Sequence, residues 1–252
     1  MDPSLSVDLN CDLGESFGRY QLGQDAEMMA LITSANIACG FHAGDPSVMA
    51  DTVALAKRHN VSIGAHPGYL DLQGFGRRAM SLSALEIAHF VCYQVGALAA
   101  FTQVADVALV HVKPHGALYN LASKDPETAR AIAQVLAKYD PELVLVGLAG
   151  SALIHAGAAA GLRVAQEGFP DRAYLPDGSL MPRSQPGALI AEPKAVGENA
   201  VRLVKEGLTK DNQQVKIDTL CLHGDHPEAV KNAKEVRMAL EAERIEIRSI
   251  AP

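Results

Sequence analysis

The sequence has no tryptophan, only four cysteines and only 5% aromatic residues in 252. Cys11, Cys39, Cys92 and Cys221 stand far apart without any Cys-x-x-Cys spacing, which argues against a zinc knuckle and a secreted disulfide frame. Three of them lie in or just after strand segments, where a free thiol behaves as a small buried hydrophobe. No lysine or arginine run stands out and the formal net charge is −7, so no nucleic acid partner is expected. There is no Gly-x-x-x-x-Gly-Lys-Ser/Thr loop and no Gly-x-Gly-x-x-Gly after a strand, hence no self-contained nucleotide site. Gly-x-Ser-x-Gly is missing too, which weakens a serine hydrolase reading. The first residues, Met1 to Ser6, form neither a basic nor an apolar signal region. No later apolar run approaches the roughly 20 residues of a membrane span, so a soluble, cytoplasmic protein with no membrane partner is expected.

What is present is a globular composition, 48% hydrophobic and 20% charged with 21 glycines, arranged as strands that each lead into a helix. Val7 to Glu15 alternates apolar and polar like a strand and breaks at Leu13-Gly14 between carboxylates. Ser34 to Cys39 leads into a loop ending at Asp45-Pro46, an N-cap with proline at the first helical position, and that helix runs to Asn60. Val61 to Ala65 is a third strand, ending in His66-Pro67-Gly68. The capping box Ser83-x-x-Glu86 then opens a helix reaching about Thr102. Further strands follow at Val107 to Val112, Leu143 to Gly147, Leu162 to Gln166 and Val215 to Leu222. Helices are predicted at Asp25 to Ile32, Asp125 to Lys138, Ser151 to Gly161, Pro193 to Gly207 and up to Glu243. The stretch from Glu167 to Ala191 reads as a loop with a small hairpin turning at Asp177-Gly178, suited to act as a cover. Ile245 to Ile250 alternates as a final edge strand.

With no linker or composition shift, this alternation predicts one α/β domain over residues 1–252 with about seven parallel strands. A barrel is favoured over an open doubly wound sheet because polar residues recur after nearly every strand. The C-terminal ends of barrel strands share one mouth, whereas an open sheet has its site at a single switch point.

The strand ends supply Asn10, Asp12, Glu15, His42, Asp45, His66, Lys113, His115, Glu167, Asp171, Arg172, His223 and Asp225. Two or three histidines with an aspartate is the ligand set of a divalent metal site, and Asp12, His42 and His66 make the most economical set. Without a metal the same groups suit general acid–base work. Lys113, between a buried strand and Pro114, calls for an anionic partner, and Arg77 or Arg172 could clamp the same anion.

The stretches Asp8 to Glu15, Asn36 to Asp45, Gly64 to Tyr69, Val112 to Asn120, Asp171 to Tyr174 and His223-Gly224-Asp225 resemble the LamB/YcsF family, named for lactam utilisation. That resemblance implies a (β/α) barrel-like fold similar to the glycoside hydrolase/deacetylase superfamily. It also implies a hydrolase activity, as the A subunit of an ATP-dependent 5-oxoprolinase working with the B and C subunits as partners. ATP would be a co-substrate, and the absent phosphate loop fits a division of labour with those partners. The resemblance carries no catalytic set, so roles rest on the strand ends. Asp12 and His66 are expected to position or deprotonate water. Lys113 with an arginine neutralises a phosphate or carboxylate, and His115 or His223 protonates the departing nitrogen. Asn10, Glu15, His42, Asp45, Arg77, Arg172 and Asp225 are expected to bind substrate. A stand-alone metal-dependent deacetylase of N-acetylated sugars and a non-catalytic binding subunit stay open as alternatives, as does a homo-oligomer.

Overall fold

A computed structural model describes residues 5–182, 185–210, 213–224 and 228–251. In chain order the elements are β1 (Ser6–Leu13), α1 (Asp25–Met29), β2 (Ser34–Ala38), α2 (Pro46–His59), β3 (Ser62–His66), α3 (Ala84–Val104), β4 (Leu109–Val112) and α4 (Gly116–Ala122). They continue with α5 (Pro126–Tyr139), β5 (Val144–Leu148), α6 (Ala152–Ala159), β6 (Arg163–Gly168), α7 (Pro193–Glu206), β7 (Leu208–Lys210), β8 (Gln213–Val215), β9 (Thr219–Leu222), α8 (Ala229–Ala242) and β10 (Glu246–Ile247).

Parallel pairing runs in the order β1-β2-β3-β4-β5-β6-β9, and β9 pairs back onto β1, so seven strands close into a barrel. Strands covered on both faces can be continuously apolar, as β5 is. β1 is different. Its apolar residues Val7, Leu9, Cys11 and Leu13 belong to the apolar core, while Asp8, Asn10 and Asp12 make their bonds across the barrel interior. Successive strand residues point to opposite faces, so this alternation gives β1 a wholly polar inner face.

The helix ends follow their local chemistry. Asp45 caps α2 through the amides of Ser47 and Val48, with Pro46 behind it. Ser83 and Glu86 form the reciprocal capping box of α3. Asp125 and Ser151 cap α5 and α6.

Four features depart from expectation. Helix α4 follows β4 almost at once. The segment expected as one strand from Val215 divides, its start pairing in the β7–β8 hairpin and its end forming β9. The C-terminal edge strand shrinks to two residues parallel to β1. Helix α3 is long and apolar enough to cross a membrane by length and composition, against the expectation that no segment is. Its apolar stripe, Ile87, Val91, Val95 and Leu98, is buried, and the helix packs on α5, α2 and β3. The expected cover between β6 and α7 carries antiparallel bridges from Arg172 to Leu189 and from Tyr174 to Leu180, with Gly178 at its turn.

Candidate active site at the C-terminal mouth of the barrel

The inner face of β1 carries a polar network from one end of the barrel toward the other. Asp8 accepts from Ser34, Thr33 and Thr219 at the far end, and burial raises its pKa. One step up, Asn10 donates to Glu167 and Thr219 and accepts from Asn36 at 2.7 Å. Asn36 also donates to Asp12 Oδ1 at 2.8 Å and accepts from His111 Nε2 at 2.7 Å. Position 64, beside His111 on the neighbouring strand, has to be glycine, because a Cβ there would land on the imidazole.

Lys113 sits at the centre of this network, 2% exposed. Its Nζ lies 2.8 Å from Glu167 Oε1 and 3.0 Å from Asp12 Oδ1, and it also reaches Asn10 Oδ1 and Cys221 Sγ. Burial opposes the ammonium, but Asp12 and Glu167 outweigh it and hold the pKa well above the ordinary lysine value. Burial likewise opposes the Asp12 carboxylate, and His66 and Lys113 hold it well below the usual range. Tyr119, from α4, donates to Glu167 Oε2 at 2.6 Å and completes that carboxylate's shell. The charge of Lys113 is therefore shared between two protein carboxylates.

Four imidazole- or carboxylate-bearing residues gather beside this network. His42 and His115 stack face to face at 3.7 Å, and His66 meets both edge-on. Glu15 Oε1 lies 3.2 Å from His42 Nε2 and 3.6 Å from His115 Nδ1. Asp12 Oδ2 is 3.3 Å from His66 Nε2. Burial pushes His42 well below the ordinary histidine value, and burial with the neighbouring His66 pushes His115 down to about 3. Among the described residues, one donor atom each from Glu15, His42, His66 and His115 lies within 4.8 Å of the others. Buried neutral imidazoles with a carboxylate are a donor set that fits a divalent transition metal. The group differs from the expected Asp12, His42 and His66 set by including Glu15 and His115 and leaving Asp12 to Lys113.

Above these residues lies a cavity of ≈ 440 Å³ whose lining includes Asp12, His66, Lys113, His115, Arg77 and His223. On its opposite wall, His223 Nδ1 is 2.6 Å from Asp171 Oδ2, with its ring stacked on Phe169. Arg172 lines the same cavity and donates to the Met181 carbonyl at 2.7 Å, a bond within the cover itself. Arg77 lies over the Phe75 ring at 5.0 Å.

Asp12, His66, Lys113, His115 and His223, expected to act together, thus line one pocket, with Arg77 and Arg172 on its walls. Asn10 lies beneath the pocket and is spent on the internal network. Asp45 is spent elsewhere, capping α2 and accepting from Gly18 N at 2.7 Å. Asp225 falls outside the described residues. Sequence reasoning misses Asn36, His111 and Tyr119. For His111 a signal exists, since the period of two in Val110-His111-Val112-Lys113 puts His111 on the same face as Lys113.

Fold and pocket together define a β/α-barrel protein with its polar site at the C-terminal ends of the strands, where barrel enzymes carry theirs. The chain belongs to the LamB/YcsF family, whose sequence pattern matches residues 7–252. It is 51% identical over 247 residues to the A subunit of 5-oxoprolinase from Syntrophobacter fumaroxidans, covering 96% of this chain and 98% of that one. It is also 51% identical over 247 residues to the A subunit of 5-oxoprolinase from Pyrococcus furiosus, covering 96% and 97%. Among solved structures, the lactam utilization protein of Thermus thermophilus superposes with a TM-score of 0.90 at 48% identity, covering 97% of this chain and 100% of that one. A family 4 carbohydrate esterase from Streptomyces lividans, solved in complex with acetate, superposes at 0.50 with 12% identity, covering 98% and 93%. That second likeness is one of fold.

Proposed function

We propose that the protein is the A subunit of a 5-oxoprolinase, which opens 5-oxo-L-proline to L-glutamate coupled to hydrolysis of ATP to ADP and phosphate, together with the B and C subunits. The observation that carries this reading is near-full-length identity of about half to chains bearing that name. The pocket supplies groups suited to the chemistry. A five-membered lactam is a stabilised amide, and phosphorylation of its oxygen makes the ring carbon electrophilic. One water adds and the ring nitrogen departs with a proton, leaving an acyl phosphate that a second water cleaves to the carboxylate and phosphate. Asp12, kept ionised by Lys113 and His66, is suited to orient and deprotonate the attacking water. His223, oriented by Asp171, is suited to protonate the departing ring nitrogen from the facing wall. It takes that role in preference to His115, whose two ring nitrogens are engaged by Phe75 O and His66. Lys113 supports the Asp12 carboxylate, and Arg77 and Arg172, which line the cavity, are suited to face an anionic substituent. A divalent ion held by Glu15, His42, His66 and His115 would add Lewis acidity.

The test is ATP-dependent release of glutamate from 5-oxoproline by the protein with and without the B and C subunits, alongside ATP-independent release of acetate from an N-acetylated sugar. Glutamate release in the complete complex, abolished in Asp12→Asn, is expected. Near-normal turnover by that variant, or deacetylation without ATP, would sink the reading.

A further inference from the structure

The rings of His66 and His115 are turned in a way that the acid–base roles do not use. His66 Nδ1 lies 2.7 Å from the Lys113 carbonyl oxygen, and His115 Nε2 lies 2.8 Å from the Phe75 carbonyl oxygen. A carbonyl only accepts, so both of these nitrogens carry hydrogen, and in a neutral ring the other nitrogen holds a lone pair. Those other nitrogens, His66 Nε2 and His115 Nδ1, face each other at 3.0 Å. Carboxylate oxygens close the same space, Asp12 Oδ2 at 3.3 Å from His66 Nε2 and Glu15 Oε1 at 3.6 Å from His115 Nδ1. With both rings neutral, acceptor faces acceptor in a buried place, which is unfavourable unless a proton or a metal ion stands between them. Lys113 is committed to Asp12 and Glu167.

We propose that this place holds one divalent transition-metal ion, with His66 Nε2, His115 Nδ1 and Glu15 Oε1 as ligands and His42 Nε2 as the fourth. Imidazoles that donate their second nitrogen to a backbone carbonyl are fixed in tautomer and orientation as metal-ligating histidines are. Three nitrogens and one carboxylate oxygen suit zinc and its neighbours rather than calcium or magnesium. The ligands come from the end of β1, the loop after β2, the end of β3 and the residue capping α4. The barrel must close before the site exists. Asp12 borders the site through Oδ2, 3.3 Å from His66 Nε2, while its Oδ1 is held by Lys113 and Asn36. The site deepens the oxoprolinase reading, resting on it only for the ion's part in turnover.

The test is titration of the chelator-stripped full-length chain with zinc by calorimetry and with cobalt(II) by visible absorption. One ion per chain and ligand-field bands of a low-coordinate cobalt site are expected. Glu15→Gln and His115→Gln should each weaken binding by at least the roughly 10–100-fold that loss of an outer-shell partner costs. Glu243→Gln, on the surface away from the pocket, should bind as the wild type does, and circular dichroism of the stripped variants checks that each is folded. A stripped wild type that takes up no ion overturns the site, especially if nitrogen NMR shows a proton shared by His66 and His115. Folded Glu15 and His115 variants that bind normally overturn it too. Glutamate release is measured on the same preparations with both partners. Ion binding without glutamate release rejects the oxoprolinase reading alone, and release without ion binding rejects the metal site alone.

Discussion

Lys113 Nζ stands 2.8 Å from Glu167 Oε1, with the Asp12 carboxylate on its other side, so one buried ammonium holds negative charge from two strands inside the barrel. Asn10 and Asn36 donate to the same two oxygens, Glu167 Oε1 and Asp12 Oδ1, and Tyr119 donates to Glu167 Oε2. A buried ion pair adds little over an apolar replacement of equal shape, but losing one partner leaves the other uncompensated.

Lys113→Ala is accordingly expected to destabilise the fold by about 3–5 kcal/mol, read as a lowered denaturant midpoint at unchanged slope. The double variant Lys113→Met with Glu167→Gln should recover part of that loss. A single variant as stable as the wild type would show that the ammonium is not the group holding the network. Loss of activity in Lys113→Ala alone therefore reports on folding as well as chemistry, which is why Asp12→Asn is the better probe of the reaction.

Asp171 and His223 sit at the edge of the pocket and are only partly covered, with side-chain exposures of 18% and 15%, so changing them should leave stability nearly untouched. His223→Gln is expected to lower kcat by about 10²–10⁴-fold, the usual contribution of a positioned acid or base. Asp171→Asn should lower kcat less, since it removes only the group that orients the His223 ring. Equal kcat values in wild type and His223→Gln would remove His223 from the reaction.

Asp71 belongs to the loop that aims the Phe75 carbonyl at His115. Its carboxylate is pushed down to about 2, chiefly by hydrogen bonds from Arg78 and, in smaller measure, from the Gly74 amide. An unfolded aspartate titrates near 3.9. Since the folded pKa lies below that, the loop's stabilisation is complete above about pH 4 and disappears as pH falls toward about 2. Asp71→Asn should therefore melt earlier than wild type at pH 7, with the gap closing on acidification. A gap that stays constant with pH would separate Asp71 from that stabilisation.

Gly64→Ala places a methyl group on the His111 ring. Overpacking of this kind costs about 1–3 kcal/mol, and the His111–Asn36–Asp12 chain should shift with it, lowering turnover as well as the urea midpoint. A variant that keeps both would mean the ring has room to move.

The barrel is legible in the sequence because each strand announces itself by an apolar run stopped by glycine or proline beside a polar side chain, as at Ala65-His66-Pro67-Gly68 and Val112-Lys113-Pro114. Helix starts are legible for the same local reason, since Asp45, Ser83 and Asp125 cap through amides two or three residues away. The β7–β8 hairpin is not, because Val215 and Leu220 read as one strand until Leu208, a non-local partner, takes Val215 away. Helix α4 is hidden for a different cause. It begins at Gly116, a residue with φ +53, and glycine reads locally as an ending.

The order of residues alone determined which side chains could meet at the mouth, since parallel strands all deliver their C-terminal ends to one side. It also determined that β1 alternates. Which face of that alternation would turn inward was decided only by closure of β9 onto β1, which sends Leu9 and Cys11 toward the helices and traps Asp8, Asn10 and Asp12 within. Closure likewise decided that Lys113 is neutralised by Glu167 and by Asp12, the latter 101 positions away in the chain. Hydrogen-bond geometry and desolvation act over a few ångströms of space, and no local pattern in a chain carries that distance.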